Sequence, residues 1–527
     1  VDDVMKKYKN LDAFSCMGKS LTFSQVDRMA DQFAAYLQSR GLEPNDKIAL
    51  MMPNLLQYPI ALFGALRAGL IVVNTNPLYT PREMLHQFND SNVKAILIAE
   101  NFAANLQTIL DQTSIKVIMT TSIGELLGFA KGKVVDFIVR RVRKAVPKYE
   151  LPNAISFSTA LKDGKKFKLN KHLGKPDDVI IHQYTGGTTG VSKGAMLTNR
   201  NLLANMLQIK AWMLPSLKEA EEVALCPLPM YHIFAFSVNC MAFMSFGTKN
   251  ILITNARDIS SVVKAMVSSK ATIMTGVNTL FNALLNNKEF QQADFSSFKL
   301  AVGGGMAVQR PVSERWQAIT GNALIEGYGM TEASPVVTVN PLGGAERIGT
   351  IGLPIPSTDI RIVDEQGNVL APGGIGEIQI KGPQVMKGYY NRPDETKRTI
   401  VDGGWLCTGD IGKMYEDGFF EIVDRKKDMI LVSGFNVFPN EIEEVVAGHP
   451  KVLEVAAIGV PDEKSTEVVK IFVVKKDASL SKNELIQYCK ANLTGYKVPK
   501  HVEFRTELPK TNVGKILRRA LREEAVK

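Results

Sequence analysis

Along the first third of the chain, apolar positions alternate between two periods. Residues 47–52, 71–74, 95–99 and 116–121 are apolar runs of strand length, and residues 55–70 carry the spacing of an amphipathic helix. Strands and helices taking turns in this way predict parallel βαβ units with helices covering the sheet faces. Further on, residues 363–382 break into short strands around the Gly/Pro turn at 371–374, which predicts a β-rich subdomain. After Asp428 come apolar strands at 453–460 and 468–474, a helix at 482–493 and a very basic C-terminus. The expected fold is therefore α/β: a large N-terminal domain over 1–427, built of parallel α/β sheets plus the β-rich part, and a small α+β domain over 428–527.

One stretch departs from this pattern. Between 123 and 148, Val135, Ile138, Val139, Val142 and Val146 share a helical face, while Arg140, Arg141, Arg143, Lys144 and Lys148 are basic. A basic amphipathic helix can lie on an anionic bilayer, gaining about 1 kcal/mol per basic residue near the surface. The same pattern also suits a helix packed on the core with a solvated basic side. Both readings stand, with 133–148 as the segment for membrane contact.

Composition narrows the class. A chain of 527 residues is too long for one core, and 45% hydrophobic content with mean hydropathy −0.01 is globular. No apolar run is long enough to cross a bilayer and no secretory signal is visible. The chain begins with Val1 inside an expected helix over 1–8, so a trimmed N-terminus is expected. Cys16, Cys226, Cys240, Cys407 and Cys489 form no close pairs and no metal-ligand spacing, which suits a reducing cytosol. The expected location is cytoplasmic, with peripheral contact to the inner face of the cytoplasmic membrane. A net charge of +10 without a recognition motif or aromatic–basic interleaving argues against nucleic acid and for anionic cofactors or a membrane surface. A homodimer is left open.

The richest chemistry lies at residues 184–194, Tyr-Thr-Gly-Gly-Thr-Thr-Gly-Val-Ser-Lys-Gly, directly after an apolar run. Gly186, Gly187 and Gly190 let backbone N–H groups crowd an anion. Thr185, Thr188 and Thr189 add hydroxyl donors, and Lys193 adds a point charge. A phosphate-binding loop follows from this, though not the Walker loop, because Ser192 precedes the lysine and Gly194 follows it. An ordinary Gly/Thr turn is the competing reading for the loop in isolation.

Three more clusters follow. Residues 326–335, Glu-Gly-Tyr-Gly-Met-Thr-Glu-Ala-Ser-Pro, lack the third glycine of a dinucleotide turn. Glu332 there reads better as a Mg²⁺ ligand, with Tyr328 offering a flat face to a base. Residues 402–410, ending Trp-Leu-Cys-Thr-Gly-Asp, place Asp410 to accept hydrogen bonds from a ribose diol, and Arg425 sits in the tight turn Asp-Arg-Lys-Lys-Asp at 424–428. Residues 508–519, Leu-Pro-Lys-Thr-Asn-Val-Gly-Lys-Ile-Leu-Arg-Arg, put Lys515 after a glycine turn at the opening of a basic helix. Each alone also reads as a solvated turn or tail.

In this order, and over nearly the whole chain, the clusters resemble the adenylate-forming enzymes: acyl-CoA synthetases, firefly-type luciferases and peptide synthetase adenylation domains. The block at 405–427 is similar to the fatty acyl-CoA synthetase signature, and residues 52–59, 275–282 and 432–439 are similar to bacterial long-chain fatty acid–CoA ligases. Cys407 departs from the signature, which often has His there, and is read as packing.

The resemblance implies a two-step ligation, fatty acid plus ATP to acyl-adenylate and pyrophosphate, then coenzyme A displacing AMP. Both nucleophiles come from substrates, which agrees with the lack of a persuasive nucleophile–base pair in the sequence. By the same resemblance, Thr185 to Lys193 hold the β- and γ-phosphates, and Thr331 contacts the α-phosphate. Glu332 and Thr185 hold Mg²⁺. Gly304, Gly305 and Tyr328, with Gly327 and Gly329, wall the adenine, while Asp410 and Arg425, with Lys427, take the ribose side. Lys515 acts in the first half-reaction only, which requires a mobile C-terminal domain turning about a hinge at Asp428. Ser433, Gly434 and Phe435 then line the thiol's path. His232 is the candidate gate or carboxylate neighbour, and Val277, Leu280, Phe281, Met306 and Val336 are candidate acyl walls. Medium-chain or aryl acids, and transfer to a carrier protein, remain alternatives within the family. A P-loop phosphotransferase and a non-catalytic acyl binder remain outside it.

Overall fold

The computed structural model describes residues 1–185, 192–213, 215–462, 465–511 and 513–525. Two large sheets carry most of it. In the first, Val179–Thr185, Ile71–Asn74, Lys47–Met51, Val93–Ala99 and Val117–Thr121 lie side by side in parallel. In the second, Leu324–Gly329, Leu300–Gly303, Ile273–Gly276, Val223–Cys226 and Lys249–Leu252 run parallel, and Asp12–Cys16 from the start of the chain joins them. Strands covered on both faces need no alternation, which is why Ile71–Asn74 and Leu300–Gly303 are buried at every position.

The helix expected over 55–70 forms as Gln57–Arg67, but it is not amphipathic: every residue except Leu66 is buried. It packs against the helix Phe23–Ser39, whose start is fixed by a Thr22–Gln25 capping box. Its last residue, Arg67, is a buried cation that reaches Asp31 at 2.8 Å, Asp2 at 2.9 Å and also Asp27.

The segment 123–148 also differs from the expectation. An α-helix, Phe129–Phe137, runs into a π-helical turn, Ile138–Val142, and the wider turn rotates the apolar face. Val135, Val139 and Val146 are half-buried, whereas Phe129, Phe137 and Val142 are 79%, 61% and 65% exposed, with Val134 and Ile138 also outside. The outward apolar set therefore shares only Ile138 and Val142 with the four valines and one isoleucine read from the helical period. Asp136 is consumed locally, accepting from Ser122 Oγ at 2.7 Å and the Gly124 N–H at 2.8 Å.

The β-rich part is an antiparallel sheet of Asp359–Val363, Ile375–Lys381, Ile400–Val401, Trp405–Met414 and Phe420–Arg425. The last sheet pairs Val452–Asp462 with Thr466–Lys475 and adds Ile430–Val432, Phe435–Val437 and His501–Arg505. The terminal helix is Arg518–Ala525, so Lys515 stands in the turn before it rather than opening it. Among the described residues, no helix is long and apolar enough to cross a membrane.

Candidate active site

The second sheet ends in glycine on adjacent parallel strands, Leu300–Gly303 and Leu324–Gly329, and a cavity of about 1700 Å³ opens beyond these ends. In open α/β sheets ligands sit in such a crevice. Glycine is required by space at Gly329, where a Cβ would stand 2.0 Å from the Pro335 carbonyl oxygen. At Gly305 it is required by conformation, with φ +79°.

Lys515 enters this cavity from the C-terminal part of the chain. Its Cε lies 3.1 Å from where a Cβ on Gly305 would be, and Thr279 Oγ1 holds the preceding turn by donating to the Gly514 carbonyl at 2.9 Å. Stripped of water by the walls, and facing the Arg425 charge, the Lys515 ammonium has its pKa lowered to about 8, with Asp410 opposing the shift. His232 lines the same space. Burial, helped by the Lys515 charge, lowers its pKa to about 3. Its Nδ1 accepts the Phe234 N–H at 3.3 Å, which places the proton of the neutral ring on Nε2.

Asp410 and Arg425 are cross-strand neighbours in register. Asp410 Oδ2 accepts the Tyr328 hydroxyl at 2.6 Å and Oδ1 lies 3.4 Å from Arg425 Nε. The Asp410 carboxylate thus fixes the orientation of the Tyr328 ring. Burial and the adjacent Asp410 charge raise the Tyr328 phenol. Lys427 is lowered to about 8 by burial and by Arg425.

At the other end, the strands Val179–Thr185 and Lys193–Thr198 form a hairpin in which Thr185 faces Lys193. Gly186, Gly187, Thr188, Thr189 and Gly190, the heart of the expected phosphate loop, lie outside the described residues. Lys193 Nζ is 2.9 Å from Glu395 and 4.6 Å from the Tyr389 ring centre, and the Tyr389 hydroxyl donates to Glu332 Oε1 at 2.7 Å.

The structure therefore brings Thr185, Lys193, His232, Gly304, Gly305 and Met306 onto one cavity wall with Gly327, Tyr328, Gly329, Thr331, Glu332 and Val336, and with Asp410, Arg425, Lys427, Asp428 and Lys515. Other residues are not among the described lining. Phe281 is core, edge-on to Trp316 with ring centres 5.0 Å apart, and Leu280 and Val277 are buried beside it. Leu280 and Phe281 lie on the helix Asn278–Leu285, whereas Val277 precedes it and packs against Gly305 and Gly514 at the edge of the cavity. Ser433, Gly434 and Phe435 form an outlying hairpin turn, where Phe435 stacks on Tyr496 at 4.7 Å. Cys407 is half-buried and accepts Gln379 Nε2 at 3.2 Å, a packing role.

Sequence reasoning missed several residues here. Tyr389 contacts Lys193 and Glu332, and Glu395 contacts Lys193; the proline-led start of the helix Pro393–Thr399, with Asp394 and Glu395 in its first turn, was the available signal. Ile209, Trp212 and Met213 form the apolar end of the cavity with Val238, Val336 and Val339. Glu326 also lines it, its carboxyl pushed up to about 8 by burial while it accepts the Val308 N–H at 3.0 Å. Neither group had a signal in the sequence.

Known proteins resemble this arrangement throughout. The AMP-binding enzyme family matches residues 1–390 and the AMP-binding enzyme C-terminal domain matches residues 441–515. A long-chain-fatty-acid–CoA ligase of Escherichia coli O6:H1 is 57% identical, covering 98% of this chain and 92% of its own. An anthranilate CoA ligase in complex with anthranoyl-AMP superposes with a TM-score of 0.89 at 25% identity, over 99% of this chain and 96% of its own. ATP-bound MatB from Rhodopseudomonas palustris gives 0.86 at 27% identity, over 99% and 97%.

Proposed function

This chain belongs to the AMP-binding enzyme family and is an AMP-forming acyl-CoA synthetase of the long-chain fatty acid–CoA ligase kind, with ATP and coenzyme A as co-substrates; from that premise we propose how its residues divide the work. The carboxylate of the fatty acid attacks the α-phosphate, the bond to pyrophosphate breaks, and an acyl-adenylate forms. The thiol of coenzyme A then takes the acyl group and AMP leaves.

The observation that carries this division is the arrival of Lys515 beside Gly305, in the cavity that also holds Tyr328, Asp410, Glu332 and Lys193. Catalysis here is positioning and charge stabilisation, since the enzyme supplies no nucleophile. Tyr328 and the glycines at 304, 305, 327 and 329 flank the adenine, Asp410 with Arg425 and Lys427 receives the ribose, and Thr331 meets the α-phosphate. Lys515 neutralises charge growing at the reacting oxygens, and His232 donates from Nε2 to the substrate carboxylate. Lys193 holds the outer phosphates, for which Glu395 now stands in as the anionic partner.

Mg²⁺ fits the donors present. Glu332, a carboxylate only 7% exposed, and the Thr185 hydroxyl are hard oxygen ligands. No group of three or more His, Cys, Asp or Glu gathers for a metal among the described residues. Oxygens such as those of Glu332 and Thr185 are the ligand type that Mg²⁺ takes, and the ion would neutralise phosphate charge there.

The acyl chain runs toward Ile209, Trp212, Met213 and Val238, which favours long over medium or aryl acids because each buried methylene adds about 0.8 kcal/mol. After adenylation, residues 428–527 turn about Asp428, withdraw Lys515 and bring Ser433, Gly434 and Phe435 to the thiol's path. The enzyme meets an anionic bilayer through the exposed face of 129–148. The test is AMP release with palmitate against octanoate and benzoate, with and without coenzyme A. Palmitate should lead, and coenzyme A should be required for turnover. Release of ADP instead of AMP, or failure to exchange pyrophosphate into ATP, would remove the reading.

A further inference from the structure

Arg518 begins the terminal helix three residues after Lys515, and it binds partners on both sides of the expected hinge. Its Nε and Nη2 donate to the two oxygens of Glu443 at 2.9 and 2.7 Å, and Nη2 also donates to Asn440 Oδ1. Glu443 and Asn440 lie beyond Asp428, on the helix Pro439–Ala447. Its Nη1 turns the other way, reaching Asp424 Oδ1 at 3.2 Å and Asp428 Oδ2 at 3.5 Å. Asp424 precedes the hinge, on the strand Phe420–Arg425, and is 0% exposed. Its other oxygen accepts the Asn440 N–H at 2.8 Å. Arg522, one helical turn further, reaches Asp428 Oδ1 at 2.8 Å.

A buried carboxylate on the near side of the hinge is therefore neutralised from the far side. A rotation about Asp428 must draw Asp424 away from Arg518 and Asn440, leaving a charge that was buried in a pair without its cation. Other side-chain contacts across this boundary among the described residues are weaker in kind: Asn440 Nδ2 to the Val423 carbonyl at 3.3 Å, Asn282 to the Leu453 carbonyl at 2.9 Å, Thr279 to Gly514, and Arg310 with Glu444 at 3.6 Å.

We propose that Asp424, Arg518, Asp428 and Arg522 form a latch that holds Lys515 in the cavity for adenylation and must open before the thioester step. Arg518 is a positioning residue: it touches no reacting atom but fixes the segment that carries Lys515. The inference rests on the hinge reading above, in which Lys515 serves the first half-reaction alone.

The test separates the half-reactions in the full-length protein. Asp424→Asn removes the charge while keeping the side chain's size, and pyrophosphate exchange should fall by about a hundredfold or more, the scale of a lost buried ion pair. Thioester formation from supplied acyl-adenylate and coenzyme A should hold or rise. Arg522→Gln breaks only the more exposed pair with Asp428, and a smaller split in the same direction should result; this variant decides if Asp424→Asn does not fold. Arg518→Lys should recover part of the exchange activity that Arg518→Ala loses. Lys515→Ala is run alongside. If Lys515→Ala splits the half-reactions but the latch variants lower both equally, or neither, the latch is wrong. If Lys515→Ala also slows both equally, the hinge reading itself falls, and the latch with it.

Discussion

Lys515 and His232 sit in one pocket under one charge balance, and the sign of that balance sets a pH dependence. A lysine whose pKa is lowered to about 8 is charged below that pH and loses its charge as pH rises through it. Adenylation by the free enzyme, read as kcat/KM in pyrophosphate exchange, should therefore fall above about pH 8. Bound triphosphate favours the ammonium, so the break in kcat should lie higher. His232, lowered to about 3, stays neutral across the working range and adds no second break near neutrality. Lys515→Ala should slow adenylation by about 10²–10³, the usual loss for one charge-stabilising donor, and should abolish the alkaline break. Thioester formation from supplied adenylate should remain. A profile that keeps its break in Lys515→Ala would assign it to another group, with Lys427, also lowered to about 8, the nearest candidate.

Helices show how apolar spacing conceals burial on all sides. The helix Gln57–Arg67 has three polar positions, Gln57, Tyr58 and Arg67, and reads as amphipathic, yet each is buried with its own partner: Gln57 on Thr121, Tyr58 on Asn74, Arg67 on its aspartates. Strands were easier to read because a parallel sheet covers both faces and demands a continuous apolar run. The polar motifs were legible through their order along the chain, since Asp410, Glu332 and Lys515 each read in isolation as part of a solvated turn or tail. The acyl walls were only partly so: Met306 and Val336 line the cavity, but Phe281 and Trp212 are both aromatic residues on helices and only packing distinguishes them. That difference can be tested. Phe281→Ala should destabilise the fold by about 3–5 kcal/mol in denaturant unfolding while leaving the order of preference among acyl lengths unchanged. Trp212→Ala opens the apolar end of the cavity and should shift preference toward longer chains. Each extra methylene accepted contributes about 0.8 kcal/mol, roughly fourfold in kcat/KM. A changed acyl profile in Phe281→Ala, with none in Trp212→Ala, would return the tunnel to the other side of the second sheet.

At the scale of the whole molecule, an excess of ten positive charges must be reconciled with a substrate that partitions into lipid. The segment around 129–148 combines both needs. Phe129, Val134, Phe137, Ile138 and Val142 face water, and Lys131, Lys133, Arg141, Arg143, Lys144 and Lys148 are exposed around them. Arg140 is committed to Glu100 at 2.6 Å and contributes less. A phenylalanine moved from water into the acyl boundary gains about 1.5–3 kcal/mol at full burial, and each nearby cation adds about 1 kcal/mol against anionic lipid. The apolar term is indifferent to salt, whereas the cationic term fades as the screening length falls from about 10 Å at 0.1 M salt to about 3 Å at 1 M. Vesicles rich in phosphatidylglycerol should therefore bind the enzyme more tightly than phosphatidylcholine vesicles, and high salt should remove that preference while a residual affinity survives. Phe129→Ser combined with Phe137→Ser should abolish the residue of binding at high salt. Pyrophosphate exchange with soluble octanoate should not change, because neither phenylalanine approaches the cavity. Reversing Arg141, Arg143 and Lys144 to Glu should abolish the lipid preference instead. Co-sedimentation that is the same for all of these proteins would leave the patch without a bilayer to meet.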